Sequence, residues 1–228
     1  MEVLLNVLFP KKCVHCGVTG GYLCESCLSH VSFLSHQYCP ACKESSVMGY
    51  SSHGCNSKTY LDQLYSVCWY RDAVVSLVGA LKYNRPVRKV LEVFEMFIEG
   101  SVISEIGYDW EQVVYIPIPL HVRKHRERGF NQSELLATIL SKHLGGTVCT
   151  DMVVRKINTK SQASLPKGLR KDNMKGAFEW TEKYIPQKTS HIVLVDDVYT
   201  SGSTLNECAR IIKEAGVKTV SAFTFARG

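Results

Sequence analysis

The chain of 228 residues is long enough for one medium domain with a small module attached. Hydrophobic residues make up 45% of it and charged residues 21%, a balance that excludes an intrinsically disordered protein. The sequence has no apolar run of transmembrane length, and its apolar start, Met1–Pro10, lacks the basic region and cleavage site of a signal peptide. We therefore expect a cytoplasmic protein without membrane insertion.

The net charge of +6 is concentrated in one segment of the chain. From His121 to Lys175 there are 12 Lys and Arg residues against 4 Asp and Glu residues. Such a segment suits a polyanion, for example a pyrophosphate group or a nucleic-acid backbone. The alternative is a solubilising surface, although that kind of surface normally mixes charges of both signs.

Seven of the ten cysteines lie in the first 55 residues, and four of these form two closely spaced pairs. Cys13 and Cys16 are followed, after seven residues, by Cys24 and Cys27. Four thiolates at this spacing can hold one tetrahedral zinc ion, which would supply much of the folding energy of so short a segment. Disulfides or a redox pair fit less well, because nothing indicates secretion. The spacing predicts a structural zinc ribbon.

A third pair, Cys39 and Cys42, indicates a second zinc site. The next donors along the chain are His53 and Cys55, which would complete a set of three cysteines and one histidine. A degenerate half-site with free thiols is the alternative. Two further histidines could compete as ligands, His15 and His36. We predict one or two structural zinc ions in a double-knuckle module that spans residues 1–58.

Between the cysteine-rich module and residue 116, the pattern predicts a scaffold of strands and helices. The predicted elements are one or two strands in Tyr60–Tyr70, helices in Asp72–Tyr83 and Val87–Ile98, and a buried strand in Val113–Ile116. Lys82 and Arg85, at the end of the first helix, are possible ligand contacts.

A basic loop is predicted after that strand and the turn Pro117–Pro119. Its cations are Arg123, Lys124, Arg126 and Arg128. Arginines and lysines at the carboxyl end of a parallel strand are well placed to hold a multiply charged phosphate group, although a basic surface turn is the alternative. Gly129 allows the backbone to turn, and Asn131 can cap the helix that follows.

The segment from Lys160 to Phe178 lacks clear periodicity and is polar and basic. Such a segment can serve as a lid that closes over a ligand and excludes water. Arg170 would then approach a departing pyrophosphate. Disorder without function is the alternative interpretation.

The most informative pattern lies near the C-terminus. A short apolar strand, Ile192–Val195, leads into Asp196 and Asp197, then into the small polar residues Thr200–Thr204 and a helix over Leu205–Ala215. Backbone N–H groups at a helix N-terminus favour an anion, and two acids beside them can accept hydrogen bonds from sugar hydroxyls. The pattern therefore predicts a site for a phosphorylated ribose, although an ordinary strand, turn and helix is the alternative.

This pattern is similar to the phosphoribosyl-pyrophosphate (PRPP) motif of type I phosphoribosyltransferases. The cysteine pairs and four further motifs extend the resemblance over almost the whole chain. With these motifs, the chain is similar to the ComF family. The motifs are Ala80–Tyr83, Pro117–Leu120, Arg128–Gln132 and Arg170–Phe178.

The resemblance implies an α/β fold: a type I phosphoribosyltransferase-like parallel sheet flanked by helices over residues 59–228, preceded by the zinc module. It implies that Asp196 and Asp197 bind ribose hydroxyls with Mg²⁺ and that the Arg123–Arg128 loop holds pyrophosphate. The residues expected to bind the 5′-phosphate are Thr200, Ser201, Gly202, Ser203 and Thr204. Asp196, Asp197 and Arg170 are the predicted catalytic residues.

The family is associated with the uptake of single-stranded DNA in natural transformation. The resemblance therefore implies PRPP as ligand, with single-stranded DNA and a competence helicase as possible partners. Two other functions stay open: transfer of phosphoribose to a nucleobase or related acceptor in nucleotide metabolism, and a regulator that senses PRPP or a nucleotide without turnover. The sequence has no readable signature of a nucleobase pocket.

Overall fold

The computed structural model describes residues 10–51, 59–83, 87–157, 174–181 and 191–228, with backbone alone for 87–89 and 102. Its centre is a sheet of five parallel strands, which lie across the sheet in the order β3 (Gln63–Trp69), β9 (Val220–Arg227), β8 (His191–Tyr199), β4 (Val113–Pro117) and β5 (Thr147–Val148).

Helices cover both faces of this sheet and connect its strands. They are α2 (Ala73–Tyr83), α3 (Val87–Glu99), α4 (Val122–Arg128), α5 (Gln132–Leu144) and α6 (Ser203–Glu214). Short 3₁₀ helices lie at Val47–Gly49, Val102–Glu105 and Trp110–Gln112. The predicted parallel α/β fold is confirmed.

Two buried clusters form the core, one on each face of the sheet. On one face, α2, α3 and α5 pack through side chains such as Leu77, Phe94 and Leu140. On the other face, α6 packs through Leu205 and Ile212, together with a separate hairpin of β6 (Val153–Arg155) and β7 (Phe178–Trp180). Strand β4 and the first half of β8 are buried on both faces, which explains the continuous apolar runs Val113–Pro117 and Ile192–Val195, whereas β5 at the edge of the sheet is not buried.

The N-terminal module covers the edge strand β3. It contains the short helix α1 (Glu25–Ser29) and a hairpin of β1 (Gln37–Tyr38) and β2 (Ser45–Ser46). The Leu34 N–H donates to the Val67 carbonyl at 3.0 Å, and the Trp69 N–H donates to the Ser32 carbonyl at 2.9 Å. The Gln37 side-chain amide bonds to both the N–H and the carbonyl of Ser66. Because an exposed edge strand invites pairing with another chain, this cover protects the sheet.

Two sequence boundaries differ from the structure. Strand β8 does not end before the acids but continues through Asp196 and Asp197 to Tyr199, because its backbone stays paired with β9. The segment predicted as a basic loop is instead the short helix α4, which His121 caps and Gly129 ends with a φ of 80°. Among the described residues, no helix is long and apolar enough to cross a membrane.

Candidate functional site

The two acids of the predicted PRPP motif lie at the carboxyl edge of the central sheet. The Asp197 side chain is buried, and its Oδ2 atom forms an ion pair with the Lys82 ammonium at the C-terminal end of α2. Asp196 is partly exposed. Lys82, which the sequence indicated as a possible contact, therefore lies within the candidate site.

Asp196 is held by hydrogen bonds from two directions. Its Oδ1 atom accepts one from the Ser133 hydroxyl at 3.1 Å and one from the Asp197 N–H at 2.9 Å. Ser133 is itself placed by Asn131, which caps α5 by accepting from the Ser133 N–H and donates to the Ile118 carbonyl. The Asn131 cap was predicted, whereas no sequence signal pointed to Ser133.

The acids and Lys82 perturb one another electrostatically. Burial and then the neighbouring charge of Asp197 raise the pKa of Asp196 to about 7, although Lys82 and two hydrogen bonds oppose the rise. Burial alone would lower the pKa of Lys82, but the negative charge of Asp197 outweighs it and the pKa lies above its ordinary value. At neutral pH the Asp196 carboxyl can therefore gain or lose a proton when a ligand binds.

The small polar residues Thr200–Thr204 form a turn that leads into α6. Gly202 has a φ of 74°, and a Cβ atom at this position would lie 2.5–2.7 Å from atoms of the Tyr199 ring. Glycine is thus required here both by the backbone conformation and by the close approach. Thr200, Gly202 and Thr204 of this turn line the same open pocket as Asp196.

Helix α4 divides the predicted basic residues into two sets. Lys124 and Arg128, one turn apart, are partly buried, whereas Arg123 and Arg126 are exposed. The Arg123 guanidinium pairs with Glu127 at 3.2 Å and is 71% exposed. Lys124 and Arg128 are therefore the two basic residues of α4 whose side chains lie against the rest of the protein.

Arg128 connects two of the motifs. Its guanidinium donates to the Gln132 amide oxygen at 2.9 Å and to the Tyr83 hydroxyl at 3.3 Å, and it stacks on the Tyr83 ring at 5.0 Å. The Ala80–Tyr83 and Arg128–Gln132 motifs thus meet in space, and Lys82 and Tyr83 bring α2 to both the acids and the basic helix.

A further cation, Arg155 at the end of β6, was missed by the sequence reasoning. It stacks on the Phe178 ring at 5.3 Å, and burial lowers its pKa. Burial also lowers the pKa of Lys124, and the positive charges of Arg155 and Arg128 lower it further. These cations therefore converge on one region, and no sequence pattern around Arg155 indicated that it belongs there.

The predicted lid is placed in part. Arg170 lies outside the described residues, as does most of the segment from Lys160. Its end, Met174–Phe178, is not a mobile loop but part of the core: Met174, Ala177 and Phe178 are buried, because the segment runs into β7. The Thr204 hydroxyl contacts the Met174 sulfur at 3.5 Å, so this end packs against the polar turn.

The two N-terminal cysteine pairs form one compact cluster. The sulfur atoms of Cys13, Cys16, Cys24 and Cys27 lie within 4.8 Å of one another, and those of Cys16 and Cys24 are 3.5 Å apart. Four thiolates at Zn–S bonds of about 2.3 Å around a tetrahedral ion are separated by about 3.8 Å. The four cysteines therefore fit a zinc ion, as predicted.

The thiols of this cluster differ in how readily they ionise. Burial opposes ionisation of Cys13, but hydrogen bonds from backbone N–H groups, the largest from Cys16, lower its pKa to about 6. Burial and the neighbouring thiols raise the pKa of Cys27, so a bound cation is needed before all four can ionise together. The His15 ring is turned away to Ser76 at 3.1 Å and is not part of the cluster.

The second predicted zinc site is described in part. Cys39 is fully buried, and its sulfur accepts a hydrogen bond from the Ala41 N–H at 3.3 Å. Cys42 is partly buried in the same turn between β1 and β2. The other two proposed ligands, His53 and Cys55, lie outside the described residues.

The raised pKa of Asp196 predicts opposite effects of pH on stability and on ligand binding. The folded protein keeps the Asp196 proton up to about pH 7, whereas the unfolded chain releases it near 3.8, so stability should fall between these values as pH rises. Affinity for Mg²⁺-bound PRPP, the ligand that the family resemblance implies, should instead rise with pH and level off above about 7, because the ionised carboxylate is the form expected to hold it. Calorimetry measures the affinity for PRPP across this pH range, and thermal unfolding measures the stability. In the Asp196→Asn variant, both quantities should depend less on pH.

Comparison with known proteins agrees with this division of the chain. Residues 4–57 match the family described as Double zinc ribbon domain, and residues 131–228 match the family described as Phosphoribosyl transferase domain. The double ribbon includes the four-cysteine cluster, and the second match includes α5, the acids and the polar turn. Structural zinc is therefore supported by both the geometry and the family match.

Several curated proteins align with most of the chain. The DNA utilization protein YhgH of Salmonella typhi is 38% identical over 167 residues, which is 72% of each chain. Competence protein F of Haemophilus influenzae is 26% identical over 96% of this chain and 98% of its own. Competence protein ComFC of Bacillus subtilis is 27% identical over 90% of this chain and 84% of its own. The chain therefore belongs to the ComF family, with a double zinc ribbon and a phosphoribosyltransferase domain.

Proposed function

We propose that the protein binds PRPP with Mg²⁺ at the carboxyl edge of the sheet and acts in the uptake of single-stranded DNA. The observation that carries the ligand is that Asp196 and the polar turn Thr200–Thr204 line one pocket, with Lys82, Lys124, Arg128 and Arg155 grouped beside it. Carboxylates recognise ribose hydroxyls, the turn suits a 5′-phosphate, and the cations suit pyrophosphate.

The division of labour follows from these positions. Asp196 and Asp197 would hold the ribose hydroxyls and Mg²⁺, which when bound would supply positive charge to the ligand. Lys82, which pairs with Asp197, would supply a positive charge beside the pyrophosphate. Lys124, Arg128 and Arg155 would neutralise the charge that develops on the leaving pyrophosphate, as we also propose for Arg170.

The role in DNA uptake rests on relatives named competence proteins and a DNA utilization protein. By the same resemblance we propose a helicase of the uptake machinery as a partner. A cytoplasmic location is consistent with thiolates that must stay reduced to bind zinc. We also propose that His53 and Cys55 complete the second zinc site and that the zinc module ends near residue 58.

Pyrophosphate release tests the reaction. The protein is incubated with Mg²⁺ and PRPP, together with a panel of nucleobases, nucleosides and single-stranded DNA, and pyrophosphate is measured over time. Release that depends on one acceptor identifies a transferase and its substrate. Binding of PRPP without release in any mixture would instead favour the regulator, and no binding would refute the proposed ligand.

A direct contact with single-stranded DNA is favoured by one exposed aromatic side chain. Tyr83 is 72% exposed, stacks with Arg128 and lies beside α4, whose exposed cations include Arg123 and Arg126. Proteins that bind single strands without sequence preference combine bases stacked on aromatic rings with a positive surface. The same surface therefore suits a DNA strand that passes the PRPP site.

This surface predicts the effects of salt and of one substitution. Binding of an oligothymidine strand should weaken steeply as salt rises, and Tyr83→Ala should reduce affinity by about tenfold, since a stacked base contributes about 1–3 kcal/mol. Fluorescence anisotropy measures both effects. Tyr50→Ala is the matched control, because Tyr50 is 41% exposed at the opposite, amino edge of the sheet, next to Gln63. Equal losses in both variants, or no binding at low salt, would contradict the proposed surface.

A further inference from the structure

The last residue of β8, Tyr199, joins the two parts of the protein. It is buried, and its hydroxyl donates a hydrogen bond to the Pro40 carbonyl at 2.9 Å, across 159 positions of sequence. Pro40 lies inside the third cysteine pair, between Cys39 and Cys42. The polar turn that we assign to the 5′-phosphate begins at the residue after Tyr199.

The turn that contains Pro40 is held firmly in place. The Cys39 N–H donates to the Glu44 carbonyl at 2.9 Å, and the Lys43 N–H donates to the Cys39 carbonyl at 3.0 Å. Cys39 and Pro40 are both buried. The carbonyl that receives the Tyr199 hydroxyl is therefore fixed in direction as long as this turn is folded.

On the other side, the Tyr199 ring supports the polar turn. Gly202 lies so close over the ring that an added Cβ atom would come within 2.7 Å of three ring or hydroxyl atoms. The Arg227 guanidinium packs against the same ring at 5.1 Å and against the Tyr38 ring of β1 at 4.8 Å. A displacement of the ring would thus displace Gly202 and, with it, the start of α6.

We propose that Tyr199 is a positioning residue that couples the third cysteine knuckle (Cys39–Cys42) to the phosphate-binding turn, so that the knuckle must be folded for the turn to bind tightly. The inference rests on the proposed function for its ligand, but the coupling itself is a property of the protein alone. It gives the zinc module a role at the PRPP site besides covering β3.

The variant Tyr199→Phe tests this coupling, because it removes the hydroxyl and keeps the ring against Gly202 and Arg227. We expect its affinity for PRPP with Mg²⁺ to fall about two- to tenfold in calorimetry, the loss expected for one buried hydrogen bond. In the protein without ligand, backbone amides of residues 200–204 should exchange with deuterium at least about threefold faster than in the unmodified protein.

A matched control separates coupling from general loss of stability. Tyr108 also forms one hydroxyl hydrogen bond, to Ser221 at 3.1 Å, but it lies on the far side of the sheet near the amino ends of the strands. Tyr108→Phe should leave PRPP affinity and the exchange of residues 200–204 unchanged, even where its melting temperature falls as much as that of Tyr199→Phe.

Pro40→Gly perturbs the contact from the other side, because it frees the backbone of the knuckle and keeps all proposed zinc ligands. It should speed exchange at residues 200–204, and Tyr199→Phe should add little to it, since both changes act through one contact. Additive effects would overturn the coupling, as would unchanged exchange in Tyr199→Phe. If the unmodified protein does not bind PRPP, the proposed ligand fails, while the exchange measurement still decides the coupling.

Discussion

We expect the variant that carries both Asp196→Ala and Asp197→Ala to lose PRPP affinity by about 100-fold or more in the presence of Mg²⁺. Each carboxylate would otherwise make hydrogen bonds assisted by charge, which contribute about 1.5–3 kcal/mol each, and two such losses multiply. The loss should be larger with Mg²⁺ than without it, because the acids are the proposed partners of the metal-bound ribose.

Loss of Asp197 also leaves the partly buried Lys82 ammonium without its ion pair, which would destabilise the variant by itself. The single variant Asp196→Asn avoids this problem, since it keeps the shape of the side chain and the Lys82–Asp197 pair. It should bind PRPP at least about tenfold more weakly than the unmodified protein while it stays folded at the same temperature.

Isothermal calorimetry with PRPP, with and without Mg²⁺, measures these losses. A variant with Asp109→Ala and Glu111→Ala is the control, because it removes two negative charges that are exposed at the start of β4, on the opposite edge of the sheet. It should bind as the unmodified protein does. Undiminished affinity in the Asp196 and Asp197 variants would remove the sugar site from this edge.

Local sequence pattern predicted most of the fold because its strands and amphipathic helices are formed by continuous apolar runs. The strand around Ile192–Val195 and the helix that Asn131 caps are examples. The pattern failed where backbone pairing or capping decides the structure instead. Strand β8 extends through two acids because β9 continues beside it. Helix α4 has no buried residues and therefore no apolar periodicity in its sequence, and only the caps at its two ends define it.

The site was predictable in its local parts and not in its long-range contacts. The acids and the polar turn are adjacent in sequence, so their proximity could be inferred. Lys82 reaches Asp197 and Ser133 reaches Asp196 only because the parallel sheet brings α2 and α5 to the carboxyl end of β8. Arg155 lies in a hairpin outside the main sheet, and no nearby residue in the sequence indicates where it points.

Removal of zinc should have the largest effect on the fold. Structural zinc contributes about 10–16 kcal/mol in small zinc-binding peptides, which is comparable to the whole stability of a typical domain. In this protein the four-cysteine cluster also anchors the segment that covers β3, where Leu34 and Ser32 bond to the strand. Loss of the ion should therefore unfold the module and expose an apolar edge strand.

We expect the unmodified protein to carry one or two zinc ions, and Cys16→Ser to carry one fewer. The melting temperature of this variant should fall by about 10 °C or more, as should that of the unmodified protein treated with a strong chelator. Elemental analysis and thermal unfolding measure both quantities. The variant should also aggregate at lower concentration, since the edge of β3 is no longer protected.

The control for this experiment is Cys149→Ser, because Cys149 follows β5 and lies outside the four-cysteine cluster. It should keep the full zinc content and lose little stability. A zinc-free protein that melts at the same temperature as the zinc-bound form would contradict the ribbon as a folding element. Retention of one ion in Cys16→Ser, together with loss of the module's fold, would show that the first site alone holds the cover on β3.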